Sequence, residues 1–386
     1  MFSSVLRTSA LKSLEATEFG SFELTLPDGS WHRYEGRQPG ADAKLTIHNW
    51  RALWNMAARG DVGFAEEYRY GNVDSPDLTA LVTFSLMNEK AMNNYLHGGF
   101  LFKVMAQLGY LLQANTLHGS RRNIHAHYDL GNDFYKLWLD NSMTYSSALF
   151  QTPGEGLEQA QYNKYDRILS LLGDRPGSLL EIGCGWGGFA DRALQKQDYA
   201  IKGITLSQEQ HDFAQQRLND NANIALEDYR HQTGKYDYLV SIEMFEAVGE
   251  KYWPTYFNKL GTLMHSGSKA VVQTITIDDS LFDHYRKAGD MIRSYIFPGG
   301  MLPSPGRFDL EASNAGLQIT DRFAFGKDYA MTAKRWLENF EAKRKEVMAL
   351  GFDEPFIRLW RLYLAACVAG FSTGRIDVMQ MEMRHA

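Results

Sequence analysis

The chain has 386 residues, enough for two or three domains, and its 44% hydrophobic and 22% charged residues are ordinary for a globular protein with a sizeable core. A net charge of −6 provides no global field for nucleic acid or an anionic surface, so contact with either would need a local basic patch. The two cysteines, Cys184 and Cys367, are far apart, which argues against a disulfide framework or a metal site and suits a reducing cytoplasm.

Met1 to Ala10 lack the apolar core of a secretory signal, and no run of about 20 apolar residues occurs, so no segment is expected to span a membrane. Residues 1 to about 85 alternate apolar and polar positions in short runs. Ser21-Phe22-Glu23-Leu24-Thr25-Leu26 reads as a strand, Pro27-Asp28-Gly29-Ser30 as a hairpin turn, and Trp31-His32-Arg33-Tyr34 as the partner strand. Lys44-Leu45-Thr46-Ile47-His48 reads as a further strand, Trp50 to Ala58 as a helix, and Gly60-Asp61-Val62-Gly63-Phe64 as a connecting turn. This is a small α+β module without the residue types of a catalytic centre. From about Thr79 to Leu117 the pattern turns helical, with Leu101, Met105, Leu108 and Leu112 on one face. Such a stripe suits packing against a neighbouring domain or, with Lys103, Arg121 and Arg122 beside it, an interfacial role at a membrane.

Polar and aromatic residues then mix unusually densely, in His127-Tyr128-Asp129-Leu130-Gly131-Asn132-Asp133-Phe134-Tyr135 and Met143-Thr144-Tyr145-Ser146-Ser147-Ala148-Leu149-Phe150. In Leu179-Leu180-Glu181-Ile182-Gly183-Cys184-Gly185-Trp186-Gly187-Gly188-Phe189-Ala190 an apolar run ends in an acidic residue, four glycines follow within six positions, and an amphipathic segment takes over. This predicts a buried strand, a tight turn where a Cβ would obstruct a ligand, and a helix. In an open α/β sheet such a turn lies at the carboxyl end of the first strand, where a ligand crevice forms. A dinucleotide site needs an acidic residue about 20 residues on, at the tip of the second strand. Here that strand, Tyr199 to Leu206, ends in Thr205 and Ser207 with no carboxylate.

Tyr236 to Ile242 reads as a strand, Tyr252 to Leu263 as a helix and Lys269 to Ile277 as a strand. Strands alternating with helices over short links predict an α/β fold, a mostly parallel, doubly wound sheet covered on both faces. Residues from about 278 to 307 break the rhythm. Ala333 to Leu350 reads as one long charged helix with Lys334, Arg335, Lys343, Arg344 and Lys345, either a solvated face or a headgroup patch.

The glycine turn with Gly203-Ile204-Thr205-Leu206-Ser207-Gln208-Glu209-Gln210 resembles the methyltransferases that use S-adenosylmethionine (SAM). Together with the two aromatic segments, Ser241-Ile242-Glu243-Met244-Phe245-Glu246-Ala247-Val248-Gly249, Tyr295 to Ser304 and Leu362 to Cys367, it resembles the cyclopropane-fatty-acyl-phospholipid synthase family, which includes the mycolic acid cyclopropane synthases. The likeness spans about 125 to 375. It implies a class I, Rossmann-like SAM-dependent methyltransferase divided into a small N-terminal α+β domain (1–85), a helical linker that is a candidate membrane-proximal segment (86–120) and a catalytic domain (121–386), with the 278–307 insertion covering the acyl site. It also implies unsaturated phospholipid acyl chains as substrate and a cytoplasmic protein peripheral to the inner face of the membrane. Nucleic acid and metal are not expected, and a homodimer would grip one surface with greater avidity.

By the same resemblance Tyr128, Gly183, Gly185, Thr205 and Gln210 bind SAM, Tyr229 and Arg230 lie at the adenine, and Glu181 serves the amino or ribose end. Methyl transfer to a cis double bond gives a cation that closes a ring on losing a methyl proton; the family's base is a bound bicarbonate. Glu246, Tyr363 and the backbone of Ile275 match its holders. Gln273 replaces the family's histidine, Ser147 its cysteine, and Ala247 a common histidine. A glutamine can donate one amide hydrogen bond to an anion but brings no charge. Two outcomes therefore stand: a cyclopropane, with Gln273 still orienting bicarbonate or Glu246 taking the proton, or a methyl-branched or methylene chain.

Overall fold

The structure is a computed structural model and describes residues 11–92 and 130–386. The apolar face at Leu101 to Leu112, most of the 86–120 linker and Tyr128 lie outside the described residues. The chain forms two compact units that interleave along the sequence.

The first unit takes the described residues 11–92 together with Tyr285–Ile296 and Trp336–Arg375. Its sheet has the order β2-β1-β3-β4, from Phe19–Thr25 (β1), Trp31–Glu35 (β2), Gln38–Ile47 (β3) and Val73–Asp74 (β4). The expected turn closes β1 onto β2: Leu26 N–H donates to Ser30 O at 2.9 Å, and Gly29 takes a φ of 79°. Helix α1 (Trp50–Arg69) starts at Asn49, whose side chain accepts from Ala52 N–H. Two helical stretches meet across a kink at Gly60, the first residue of the stretch read as a connecting turn. Gly60 absorbs the irregularity as a kink (φ 58°, ψ −133°), a conformation open to glycine, so its neighbours stay helical. Helix α2 (Leu78–Met87) buries Leu81 and Phe84, and Phe84 stacks on Phe22 of β1 with centroids 5.0 Å apart. The helix Glu354–Ser372 is tied in by Arg358, which donates to Tyr68 O and Val73 O and lies 4.0 Å from the Tyr68 ring.

The second unit comprises the described residues 130–284 with Phe297–Arg335 and Ile376–Ala386. Its seven strands have the order β10-β11-β9-β8-β5-β6-β7, from Ser178–Ile182 (β5), Ala200–Thr205 (β6), Asn223–Leu226 (β7), Tyr236–Ile242 (β8), Met264–Ile277 (β9), Leu317–Ala324 (β10) and Ile376–His385 (β11). The strands β7, β6, β5, β8 and β9 are mutually parallel, whereas β11 runs antiparallel to both β9 and β10. Strand order reverses at β5, so the crevice at its carboxyl end is the place this topology makes for a ligand. The helices α3 (Leu157–Leu172), α4 (Gly188–Lys196), α5 (Gln208–Leu218) and α6 (Trp253–Leu263) fill the connections. Leu179, Ile201, Val240 and Val271 of the sheet form one core with Tyr165, Ile168, Phe189 and Ala214. Parallel strands covered on both faces explain why β5 shows a run of apolar residues and no alternation.

The helix expected over Ala333 to Leu350 is two, Gly326–Ala342 and Arg344–Ala349. They are broken at Lys343, where φ −102° and ψ 13° leave the helical range. Among the described residues no helix is long and apolar enough to cross a membrane.

Replacing Gly60 with alanine forces a side chain into a region of backbone space nearly reserved for glycine. The expected loss is about 1–3 kcal/mol, read as a lower urea midpoint for Gly60→Ala than for the parent chain.

Candidate active site

The turn after β5 is a cradle built by glycines. Gly183 takes φ 82°, and a Cβ there would stand 2.8 Å from Met244 Cγ; Gly185 takes φ 51°, and the space its Cβ would fill is open. Gly183 and Cys184 N–H both donate to Ile204 O, which pins the turn to β6. Below it opens a cleft of about 960 Å³, counted out to its mouth, lined by Glu181, Gly183, Gly185, Thr205, Gln210 and Tyr229. All six were expected there. Tyr145, Ser146, Trp186 and Glu227 also line it.

The polar groups of this cleft are arranged for a ligand. Thr205 Oγ1 donates to Gln210 Oε1 at 2.9 Å, which leaves the Gln210 NH₂ as the free end of that amide. Glu181 is buried with Oε2 unpartnered, and burial raises its pKa well above the carboxylate range. An ammonium or a pair of hydroxyls would satisfy that oxygen. The donor set fits SAM: the glycines would admit the amino-acid moiety, Glu181 its ammonium and Tyr229 the adenine. The Arg230 guanidinium clamps Asp228, with Nε to Oδ1 at 2.9 Å and Nη2 to Oδ2 at 2.6 Å. It steadies the loop that carries Tyr229.

A second cluster of polar groups adjoins the cleft. Glu243, just past the end of β8, has a left-handed φ of 48°, a strained setting for a non-glycine residue. Its Oε1 accepts from Ser147 N–H at 2.9 Å and from Gln273 Nε2 at 2.7 Å, and its Oε2 from the Tyr329 hydroxyl at 2.6 Å. The Ser147 Oγ turns away, donating to Ala148 O. Glu246 Oε1 accepts from Ile275 N–H at 2.5 Å, while its Oε2 is shielded and has no partner. Burial, and then the neighbouring Glu243 charge, push the Glu246 pKa up to about 8. Like charges close together favour one shared proton, and the unpartnered Glu246 oxygen is the place for it. Lys164 on α3 is fully buried and donates to Ser146 Oγ at 2.6 Å. Burial lowers its pKa to about 7, opposed first by Glu243.

The structure therefore brings together Glu246, Gln273, Ser147 and Ile275 as expected. Tyr363 lies in the other unit, on the helix Glu354–Ser372, buried and edge-on to Trp360. The tyrosine hydroxyl on the buried carboxylate is that of Tyr329. Glu243, Tyr329 and Lys164 escape a reading by motif. Only Glu243 carried a signal, an acidic residue placed where a strand ends beside the cleft. Among the described residues no set of side chains forms a metal site.

The family profile described as Mycolic acid cyclopropane synthetase matches residues 116–381. The tuberculostearic acid methyltransferase UfaA1 of Mycobacterium tuberculosis is 38% identical over 355 residues, covering 88% of this chain and 82% of that one. The cyclopropane-fatty-acyl-phospholipid synthase of Escherichia coli K12 is 30% identical over 370 residues, covering 93% and 94%. The crystal structure of mycolic acid cyclopropane synthase CmaA1 complexed with SAH and CTAB superposes with a TM-score of 0.64, at 32% identity over 68% of this chain and 98% of that one.

A carboxyl whose pKa is about 8 in the fold and ordinary in the unfolded chain adds stability that is complete below the carboxylate range and is lost as pH rises toward 8. Glu246→Gln removes that dependence. In thermal melts the variant is expected to gain on the parent from about pH 5 to pH 8 and to level off above that.

Proposed function

Because this chain belongs to the mycolic acid cyclopropane synthetase family, we propose that it methylates the double bond of an unsaturated phospholipid acyl chain and leaves a methylene branch in place of a ring. The fold and cleft are those of a SAM-dependent methyltransferase, and SAM supplies the electrophilic methyl when bound. The chain's own work is to hold the alkene against that methyl, exclude water and receive a proton.

One observation carries the reading: the positions that the resemblance assigns to an external anion are occupied by a carboxylate of the chain itself. Glu243 takes the Ser147 N–H and the Gln273 amide that bicarbonate would need. These donors do not fit a bound bicarbonate, and no step is routed through one. Glu243 serves as the base, and protonated Glu246 beside it limits the local negative charge.

Burial raises the Glu243 pKa, and the hydrogen bonds from Tyr329, Ser147 and Gln273 oppose that rise while occupying the oxygens that would take a proton. A base whose oxygens are already engaged takes a proton slowly, which gives the new cation time for a 1,2-hydride shift to its tertiary form. The proton then leaves the added methyl for Glu243, the freed C–H pair becomes the second bond, and the product is an exocyclic methylene. One carbon is gained, no electrons are exchanged with a partner, and a saturated branch would need a separate hydride donor. The 38% identity to a tuberculostearic acid methyltransferase supports branching over ring closure.

The test incubates purified protein with methyl-deuterated SAM and oleoyl phospholipid vesicles, then applies mass spectrometry and NMR to the acyl chains. The expected product keeps two deuteriums on a vinylidene carbon, with a yield indifferent to added bicarbonate, and Glu243→Gln lowers kcat by about 10²–10⁴-fold. Two deuteriums on a ring carbon would establish cyclopropanation, three would put proton loss on the chain, and no incorporation would sink the lipid substrate.

A further inference from the structure

The Gln273 amide can help a carboxylate only with its NH₂ facing Glu243, and the sheet contains the parts that enforce this. Gln380 of β11 stands directly opposite Gln273 of β9 in the antiparallel register, so the two fully buried side chains are cross-strand neighbours. On the other side of β11, Gln380 is opposite Phe323 of β10. Arg167 of α3 crosses above this row, its guanidinium 4.5 Å from the Phe323 ring and its Nη2 2.5 Å from Asp321 Oδ1.

The hydrogen bonds run one way along the row. Arg167 Nη1 donates to Gln380 Oε1 at 2.9 Å, Gln380 Nε2 donates to Gln273 Oε1 at 3.0 Å, and Gln273 Nε2 donates to Glu243 Oε1 at 2.7 Å. The second Gln380 amide hydrogen is taken by Lys164 O at 3.3 Å. A guanidinium has no acceptor, so Gln380 must show it the oxygen. Each amide then has only one orientation that leaves no buried polar atom facing its like. The direction follows from the chemistry of the row's two ends.

We propose that Arg167 and Gln380 are positioning residues for the base: they lock the Gln273 carboxamide with its NH₂ toward Glu243, so that this oxygen can only accept and Glu243 stays ionised. The inference rests on the reading of Glu243 as base. Besides Gln273, the titratable groups facing Glu243 are the Tyr329 hydroxyl from the helix Gly326–Ala342, Lys164 from α3, and Glu246. None of them contacts Gln380 by side chain in the row described.

Gln380→Glu tests the lock. A carboxylate at 380 keeps the pairing with Arg167 but accepts from the Gln273 NH₂, which turns the Gln273 oxygen toward Glu243 and favours its protonated form. The acid limb of the kcat profile is expected to move up by about one pH unit or more, with KM for SAM unchanged and a normal folded circular dichroism spectrum. Arg167→Met releases the same lock from its far end and should move the limb in the same direction, while Arg167→Lys, still a pure donor, keeps it near the parent position at whatever kcat remains. A parent-like acid limb in both Gln380→Glu and Arg167→Met, in protein where Glu243→Gln is inactive, would overturn the lock and leave the base in place. Full activity in Glu243→Gln would remove the base and the lock together.

Discussion

A buried carboxylate is the most demanding group in this protein. Transferring its charge out of water is unfavourable by far more than a single contact returns, so the charge survives only where several donors converge. Glu243 meets three, and each comes from a different part of the second unit: the backbone after Ser146, strand β9, and the helix that follows β10. The left-handed backbone at Glu243 belongs to the same arrangement. The strand ends, the register of the sheet and the path of the Met143 to Phe150 segment can be understood as the conditions for keeping that one oxygen pair satisfied.

The surrounding charges are graded around it. Burial and the Glu243 charge raise the Glu246 pKa and so favour its neutral form, while burial lowers the Lys164 pKa against the pull of Glu243. A cationic sulfonium would thus enter a region whose anion is already fixed in place, with little reorganisation left for the moment of reaction. The glycine cradle and the acidic cluster are neighbours in space because β5 and β8 are neighbours in the sheet.

How much of this was legible in the sequence depended on how local each signal was. The cradle was plain, because Gly183, Gly185 and the apolar strand before them lie within a few residues, and the alternation of strands and helices announced the α/β sheet. Gln273 and Ser147 were recognisable as departures from a pattern. What fills the gap was not, since Glu243 and Gln273 meet only through the pairing of β8 with β9, and Tyr329 arrives from a helix whose residues look like solvated surface. At Gly60 the turn signal was real, and it is met by one non-helical residue between two helical stretches. The return of Tyr285–Ile296 and Trp336–Arg375 to the first unit has no local signature at all.

The position of β11 also shapes how the chain can fold. It is inserted between β9 and β10 although both precede it, β9 by about a hundred residues, so the edge of β9 stays unpaired until Ile376–His385 arrives. Contacts so distant along the chain form slowly, and an open strand edge is a template for another chain. The late step of folding and the completion of the amide row are one event, which makes the half-assembled sheet both inactive and the species most prone to aggregate.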